Sequence, residues 1–199
     1  MLRSLLLIIT MLALALPCAQ ATTVVPPDFE SMVQNSDYVV HGVVTQVTCH
    51  REDRNGSPRI ITRVHFDPIE IVAGAAPDRI VLELLGGTID GQTLTVSGQP
   101  QFAVGDEEIL FVHRNGRSIS PLYAMMFGRY AVRPDPTTGE KRVQREDGSG
   151  LPNVEAISAP LRSAHATKPT APVAGMTPAA FKSLIRSARQ STTPPAARP

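Results

Sequence analysis

Apolar positions along this chain recur with two different periods. In residues 26–36, "PPDFESMVQNS", Phe29, Met32 and Val33 stand at i, i+3 and i+4. That spacing puts three apolar side chains on one helical face, which would pack inward. Pro27 is expected in the first turn, where a missing N–H costs nothing, and Asp28 and Glu30 suit the electropositive N-terminus. Residues 177–190, "TPAAFKSLIRSARQ", repeat the helical period. Thr177 serves as N-cap, Pro178 takes the first turn, and Phe181, Leu184, Ile185 and Ala188 form the apolar stripe.

Between these two helices the period is that of strands. Residues 37–50 are rich in Val and Thr, and residues 59–74 form a returning strand after the turn signal Asn55-Gly56. With the hairpin centred there, His41 pairs with Glu70, and His65 with Gln46. Val64 and Phe66 alternate correctly, whereas Ile69 and Ile71 are one place out of phase. A bulge near Pro68 is expected to restore them to the inward face. Further strands are expected at "RIVLELLGG", "QTLTVSG", "EEILFVH", "ISPLY", "MFGRYAVR" and "KRVQR". Many short strands with turn signals between them, too apolar for one open sheet to cover, predict a small, mainly β antiparallel barrel. The C-terminal helix is expected as a separate element, docking on the barrel or on a partner.

The ends of the chain differ in character. Residues 1–21 read as a signal peptide: Arg3, the run "LLLIITMLALAL", and the small-x-small site Ala19-Gln20-Ala21. Cys18 suggests lipidation, but Pro17 breaks the small-residue pattern that precedes a lipidated cysteine, so cleavage after Ala21 is expected. The predicted organisation is therefore a signal peptide at 1–21, a barrel at 22–145, a Pro/Ala-rich linker at 146–176, a helix at 177–190 and a disordered tail at 191–199. No long apolar run follows the signal, so no transmembrane segment is expected after cleavage and the chain should be secreted or periplasmic.

Charge and cysteine count narrow the role. The chain carries 19 Lys and Arg against 18 Asp and Glu. Loss of Arg3 with the signal leaves 18 against 18, so neither nucleic acid nor an anionic membrane is strongly attracted. Cleavage would also leave Cys49 as the lone thiol, expected to be buried and inert. The histidines show no metal-ligand spacing, Ser97 lacks a nucleophile elbow, and "GGTIDGQ" has no following helix to hold phosphate. Asp106, Glu107 and Glu108 are expected to form a solvated strand entrance, and "NGS" at Asn55 is a glycosylation sequon in hosts that read it. No enzyme signature and no cofactor are expected.

Residues 22–44 resemble, without gaps, the start of the tissue inhibitors of metalloproteinases. Thr23, Val25, Pro26, Pro27 and Asn35-Ser36-Asp37 are shared, as is the Val-rich strand that follows. "FDPIEIVAG" is similar to that family's second strand, and "VSG" (residues 96–98) followed by "GDEEIL" to a further block. The chain also resembles bacterial exported proteins of unknown function, through elements that hold Asp37, Gly86 and Phe102. The resemblance implies an OB-like, netrin-module barrel and a zinc metalloprotease as partner. It implies that the mature N-terminus enters the protease cleft, with the Thr22 amine and carbonyl on the partner's catalytic zinc and Thr23 in the specificity pocket. Val24, Val25 and Ser97 would complete the contact region. Thr22, Val24 and Gln34 stand where the family has cysteines, and Ser97 where it has the disulfide partner of the first. Thr22 and Ser97 would then be neighbours joined at most by a hydrogen bond, worth roughly 0.5–1.5 kcal/mol against about 2–4 for a disulfide. Apart from the resemblance, the alternative role is that of a structural or envelope-associated protein whose C-terminal helix docks on a partner through Phe181, Leu184 and Ile185.

Overall fold

A computed structural model describes residues 25–54, 56–162 and 175–191. The expected signal peptide, Thr22 to Val24, the central part of the expected linker and the last eight residues lie outside them. Among the described residues the elements are α1 (Phe29–Asn35), β1 (Tyr38–Arg54), β2 (Ser57–Gly74), β3 (Ile80–Leu85), β4 (Gly87–Ile89), β5 (Gln92–Leu94), β6 (Glu107–Val112), β7 (Arg129–Pro134), β8 (Lys141–Gln144) and α2 (Pro178–Ser191). Short 3-10 turns fall at Met125–Gly128 and Glu155–Ser158.

Six strands make one antiparallel sheet in the order β3-β2-β1-β6-β7-β8, and β4 and β5 form a separate hairpin. The fold is mainly β, as expected, but the sheet does not close into a barrel. Its edges are instead covered by loops. Leu85 N–H bonds the Ile119 carbonyl at 3.0 Å, and the Asn115 amide side chain pairs with Glu83 N–H and the Val81 carbonyl like a missing strand. The same loop returns to β6 through the Val112–Leu122 bridge. "ISPLY" is thus a lacing segment rather than a strand. At the other edge, Val143 of β8 bonds Met176 and Leu151. Exposed strand edges invite pairing with other chains, and both are blunted here.

The β1–β2 ladder carries three register shifts. His41 pairs with Glu70 and Gln46 with His65, as the hairpin position predicted. One shift falls between His41/Gly42, where Ile69 is skipped beside Pro68. The expected consequence fails, however: Ile69 and Ile71 remain exposed, and Val72 takes the inward place. Ile69 is the extra residue of the bulge, and a second shift moves Val72 across. At the bend Gly42 is required for space, because a Cβ there would lie 2.3 Å from the Asp67 carbonyl oxygen.

The bent sheet makes two cores. On one face Val39, Ile109, Phe111, Tyr130, Val132 and Val143 meet Met32 and Val33 of α1 and Phe181 and Ile185 of α2. The Phe181 ring stands 5.0 Å from Tyr130 and 6.1 Å from Phe111. Of the two expected dockings the helix takes the one on the sheet, and it is part of the domain rather than a separate element. Phe181 and Ile185 are 0% exposed, while Leu184 is 41% exposed. On the other face Val40, Val64, Phe66, Ile80, Leu82, Leu84, Leu110 and Leu122 form the second core.

The expected linker also needs correction at its beginning. Leu151 and Ile157 are fully buried against the first core. Two apolar residues among Ala, Pro and Ser suffice to dock this stretch, so its composition misleads. Pro27 precedes α1 rather than sitting in its first turn: Asp28 is the N-cap, with its side chain accepting from Ser31 N–H at 2.8 Å.

The acidic run at the start of β6 is not a solvated entrance. Glu108 is 0% exposed, with Arg129 at 2.9 Å and Arg133 at 3.1 Å. Arg129 also meets Glu146 at 2.9 Å and stacks over the Phe102 ring at 4.9 Å. Burial pushes the Glu108 carboxyl above the usual carboxylate range, against the pull of Arg129.

Two stability measurements check this architecture. Phe181→Ala should cost about 3–5 kcal/mol in urea unfolding, and Leu184→Ala less than about 1 kcal/mol. Arg129→Met should leave Glu108 buried without its main partner and lower the unfolding free energy by roughly 3–5 kcal/mol.

Candidate functional site

The resemblance placed the N-terminal arm beside the loop carrying Val96, Ser97 and Gly98. In the fold those segments share a surface cavity. Pro26, Val96, Ser97 and Gly98 line a notch of about 440 Å³, together with Ile119, Met125, Met126, Phe127, Pro160 and Leu161. The notch is mostly apolar, and its two thioether side chains can adapt to what they contact.

Each wall is held by a local constraint. Val96 to Gln99 form a turn closed by a 3.3 Å bond from Gln99 N–H to the Val96 carbonyl, with Gly98 at φ +79°. A positive φ at the third position is what a type II turn demands of glycine. The Gln99 side-chain amide donates to the Ile119 carbonyl and ties the turn to the lacing loop. The opposite wall is the Met125–Gly128 turn, of which residues 126–128 are expected as strand. Ala124 and Met125 both adopt left-handed backbone, at φ 50° and 56°. Such conformations cost non-glycine residues about 1–2 kcal/mol each and persist only where surroundings impose them. Gly128 leaves room for the turn to close, since a Cβ there would lie 2.5 Å from the Tyr123 carbonyl oxygen.

The arm enters from α1. Ser158 Oγ donates to the Pro27 carbonyl at 3.2 Å, fixing the segment just beyond the notch. Val25 is 77% exposed and Ser97 is exposed at the rim. Thr22, Thr23 and Val24 precede the described residues. Pro26 is four residue steps from Thr22, a reach of at most about 13–14 Å at full extension.

The remaining residues of the resemblance have internal partners. Ser36 Oγ donates to the Met32 carbonyl at 2.7 Å, and an Asp37 carboxylate oxygen accepts from Arg114 N–H at 2.7 Å. Gln34 donates to the Ala188 carbonyl at 2.8 Å. Phe181 and Ile185, expected to dock on a partner, belong to the domain's own core, and Leu184 lies outside that contact.

A second cleft, of about 340 Å³, lies between the β4–β5 hairpin and the sheet. Cys49 lines it, half-buried rather than fully enclosed as expected. Thr62 Oγ1 donates to the Gly86 carbonyl at 2.7 Å, so at 3.4 Å the Cys49 thiol is the donor to Thr62. No group of three or more His, Cys, Asp or Glu among the described residues is placed to hold a metal ion. No helix among them is long and apolar enough to cross a membrane.

The sequence reading missed Ile119, Met125, Met126, Pro160 and Leu161. The signal is present in "MMFG", where a glycine follows two methionines and an aromatic, although the expected strand begins at its second methionine. The Gly98 turn offers a direct check on the notch. Gly98→Ala should cost about 1–2 kcal/mol through its positive φ, measured by urea unfolding, because its Cβ would also meet the Met126 Cε at 2.8 Å.

No protein-family model, curated protein or solved structure matches the chain, so its role has to be read from its own side chains.

Proposed function

We propose that the mature chain is an exported, non-enzymatic binding module that contacts a zinc metalloprotease through its N-terminal arm. The observation that carries this reading is the shared notch: Pro26, at the root of the arm, and Val96 to Gly98 line one cavity. The fold is read as an opened variant of the OB-like netrin barrel, in which loop 113–122 occupies the place of a closing strand pairing. Secretion or periplasmic placement follows from the signal-like residues 1–21.

In this reading the Thr22 amine and carbonyl ligate the partner's zinc, and Thr23 enters the adjoining pocket. Thr22, Thr23, Val24, Val25 and Ser97 make the contact, and the apolar notch beside Ser97 receives a side chain from the protease rim. In the described part of the arm, Pro26 and Pro27 restrict the backbone and Ser158 bonds the Pro27 carbonyl. An arm without the disulfide staple binds less tightly than a stapled one. The alternative of a helix docking on a partner has no comparable support, because Phe181 and Ile185 are used internally.

The test is inhibition of a panel of zinc proteases by protein beginning at Thr22. One alanine added before Thr22 should weaken inhibition by at least about 100-fold, or ~2.7 kcal/mol. Equal inhibition by native and extended proteins would remove zinc chelation. The active form is the neutral amine, with an ordinary pKa near ~7.7–8.0. Inhibition should therefore strengthen between pH 6.5 and 8.5 and weaken about tenfold per unit well below the amine pKa, once the protease's own pH profile is divided out.

A further inference from the structure

The underside of α2 carries a line of charge as well as its apolar stripe. Lys182 Nζ donates to Glu70 Oε2 of β2 at 2.5 Å and lies 3.3 Å from His41 Nδ1 on β1. Across the same ring, His41 Nε2 lies 3.0 Å from Glu107 Oε1 of β6. The other Glu107 oxygen accepts from Lys141 of β8 at 2.6 Å, and Glu70 also accepts from Arg186 of α2. Arg133 of β7 donates to the Glu107 main-chain carbonyl at 3.0 Å. His41 is itself buried, at 6% exposure.

One protonation state satisfies these contacts. Lys182 has only donors, so Nδ1 must offer its lone pair to it. Nε2 then carries the hydrogen and donates to Glu107. The neutral imidazole therefore joins the helix to the sheet. A second proton would sit on Nδ1 and face the Lys182 ammonium, donor against donor. Around the ring, two carboxylates (Glu70, Glu107) already face three cations (Lys141, Lys182, Arg186), an excess of one positive charge. Protonation would raise that excess to two in a partly buried place.

We infer that His41 is a pH-sensitive latch on the C-terminal helix: its neutral ring holds α2 to the sheet, and its protonation loosens α2. Burial lowers the affinity of His41 for a proton, Glu107 opposes that, and Lys182 adds to it. With the helix released, the ring would titrate nearer the ordinary value of about 6.5. Docking is thus full above about pH 6.5 and weakens as the pH falls below it. The loss levels off below the lower pKa of the docked state, where both states hold the proton. The far end of the helix is held by a cation that stays charged throughout this pH range. Arg189 donates to the carbonyls of Val33 at 2.6 Å, Gln34 at 3.1 Å and Ser36 at 3.2 Å. Loosening therefore concerns the Phe181–Ile185 half, and it uncovers the Phe111 and Tyr130 surface.

Amide hydrogen exchange of the full mature chain at pH 7.5 and 5.5, corrected for intrinsic rates, tests the latch. Protection of residues 181–185 should fall, by up to about tenfold, at pH 5.5 relative to residues 109–112, while that of residues 188–191 changes less. The difference should vanish in His41→Gln and persist in His113→Gln. In Lys182→Met the His41 midpoint, followed by imidazole NMR, should move up and the pH dependence of helix protection should shrink. Equal wild-type protection at both pH values would overturn the latch. So would persistence of the difference in His41→Gln, or an unmoved His41 midpoint in Lys182→Met.

Discussion

The bulged ladder between β1 and β2 is the constraint on which the other contacts depend. Each register shift puts two residues of one strand opposite one of the other, so the pair bends and twists more than a regular ladder. The bend allows Leu82 and Leu84 of β3 to share a core with Leu110 of β6, although β2 and β1 lie between them in the sheet. Gly42 makes the close approach possible. Without this bend, β3 would be too far from the loop after β6 for Asn115 and Ile119 to reach its edge.

The same bend leaves an opposite face open to helices. Val39, Ile109 and Phe111 point to α1 and α2, while their neighbours Val40, Leu110 and Val112 point to the other core. Both faces of the central strands are therefore buried, which is why residues 109–112 of β6 are a continuous apolar run. Charge is admitted only at the margin, where Glu108 is enclosed by Arg129 and Arg133 and Glu107 by His41 and Lys141. One acidic pair thus faces two separate ionic clusters, one on each side of the sheet.

The candidate site arises at a junction of three loops. The Val96–Gln99 turn, the strained Ala124–Met125 segment and residues 160–161 have no periodic pattern linking them. Their proximity to Pro26 depends on α1 packing through Met32 and Val33 onto the first core, with Ser158 bonding the Pro27 carbonyl. The notch is thus assembled by long-range packing, although each wall is shaped by local backbone rules.

Local periodicity by itself determined the two helices, the paired register of His41 with Glu70 and the mainly β class. Those features depend on side-chain spacing and on a two-residue turn, which neighbouring residues specify. The cap at Thr177 and the inward positions Phe181 and Ile185 were legible for the same reason. Only the tertiary structure decided what the apolar stripe of α2 covers, that Leu151 and Ile157 are core, that Glu108 is buried, and that loop 113–122 laces the sheet. Each depends on which distant groups meet. An amphipathic stripe fits any apolar surface of suitable shape, and a carboxylate reads as exposed until the arginines that neutralise it are placed beside it.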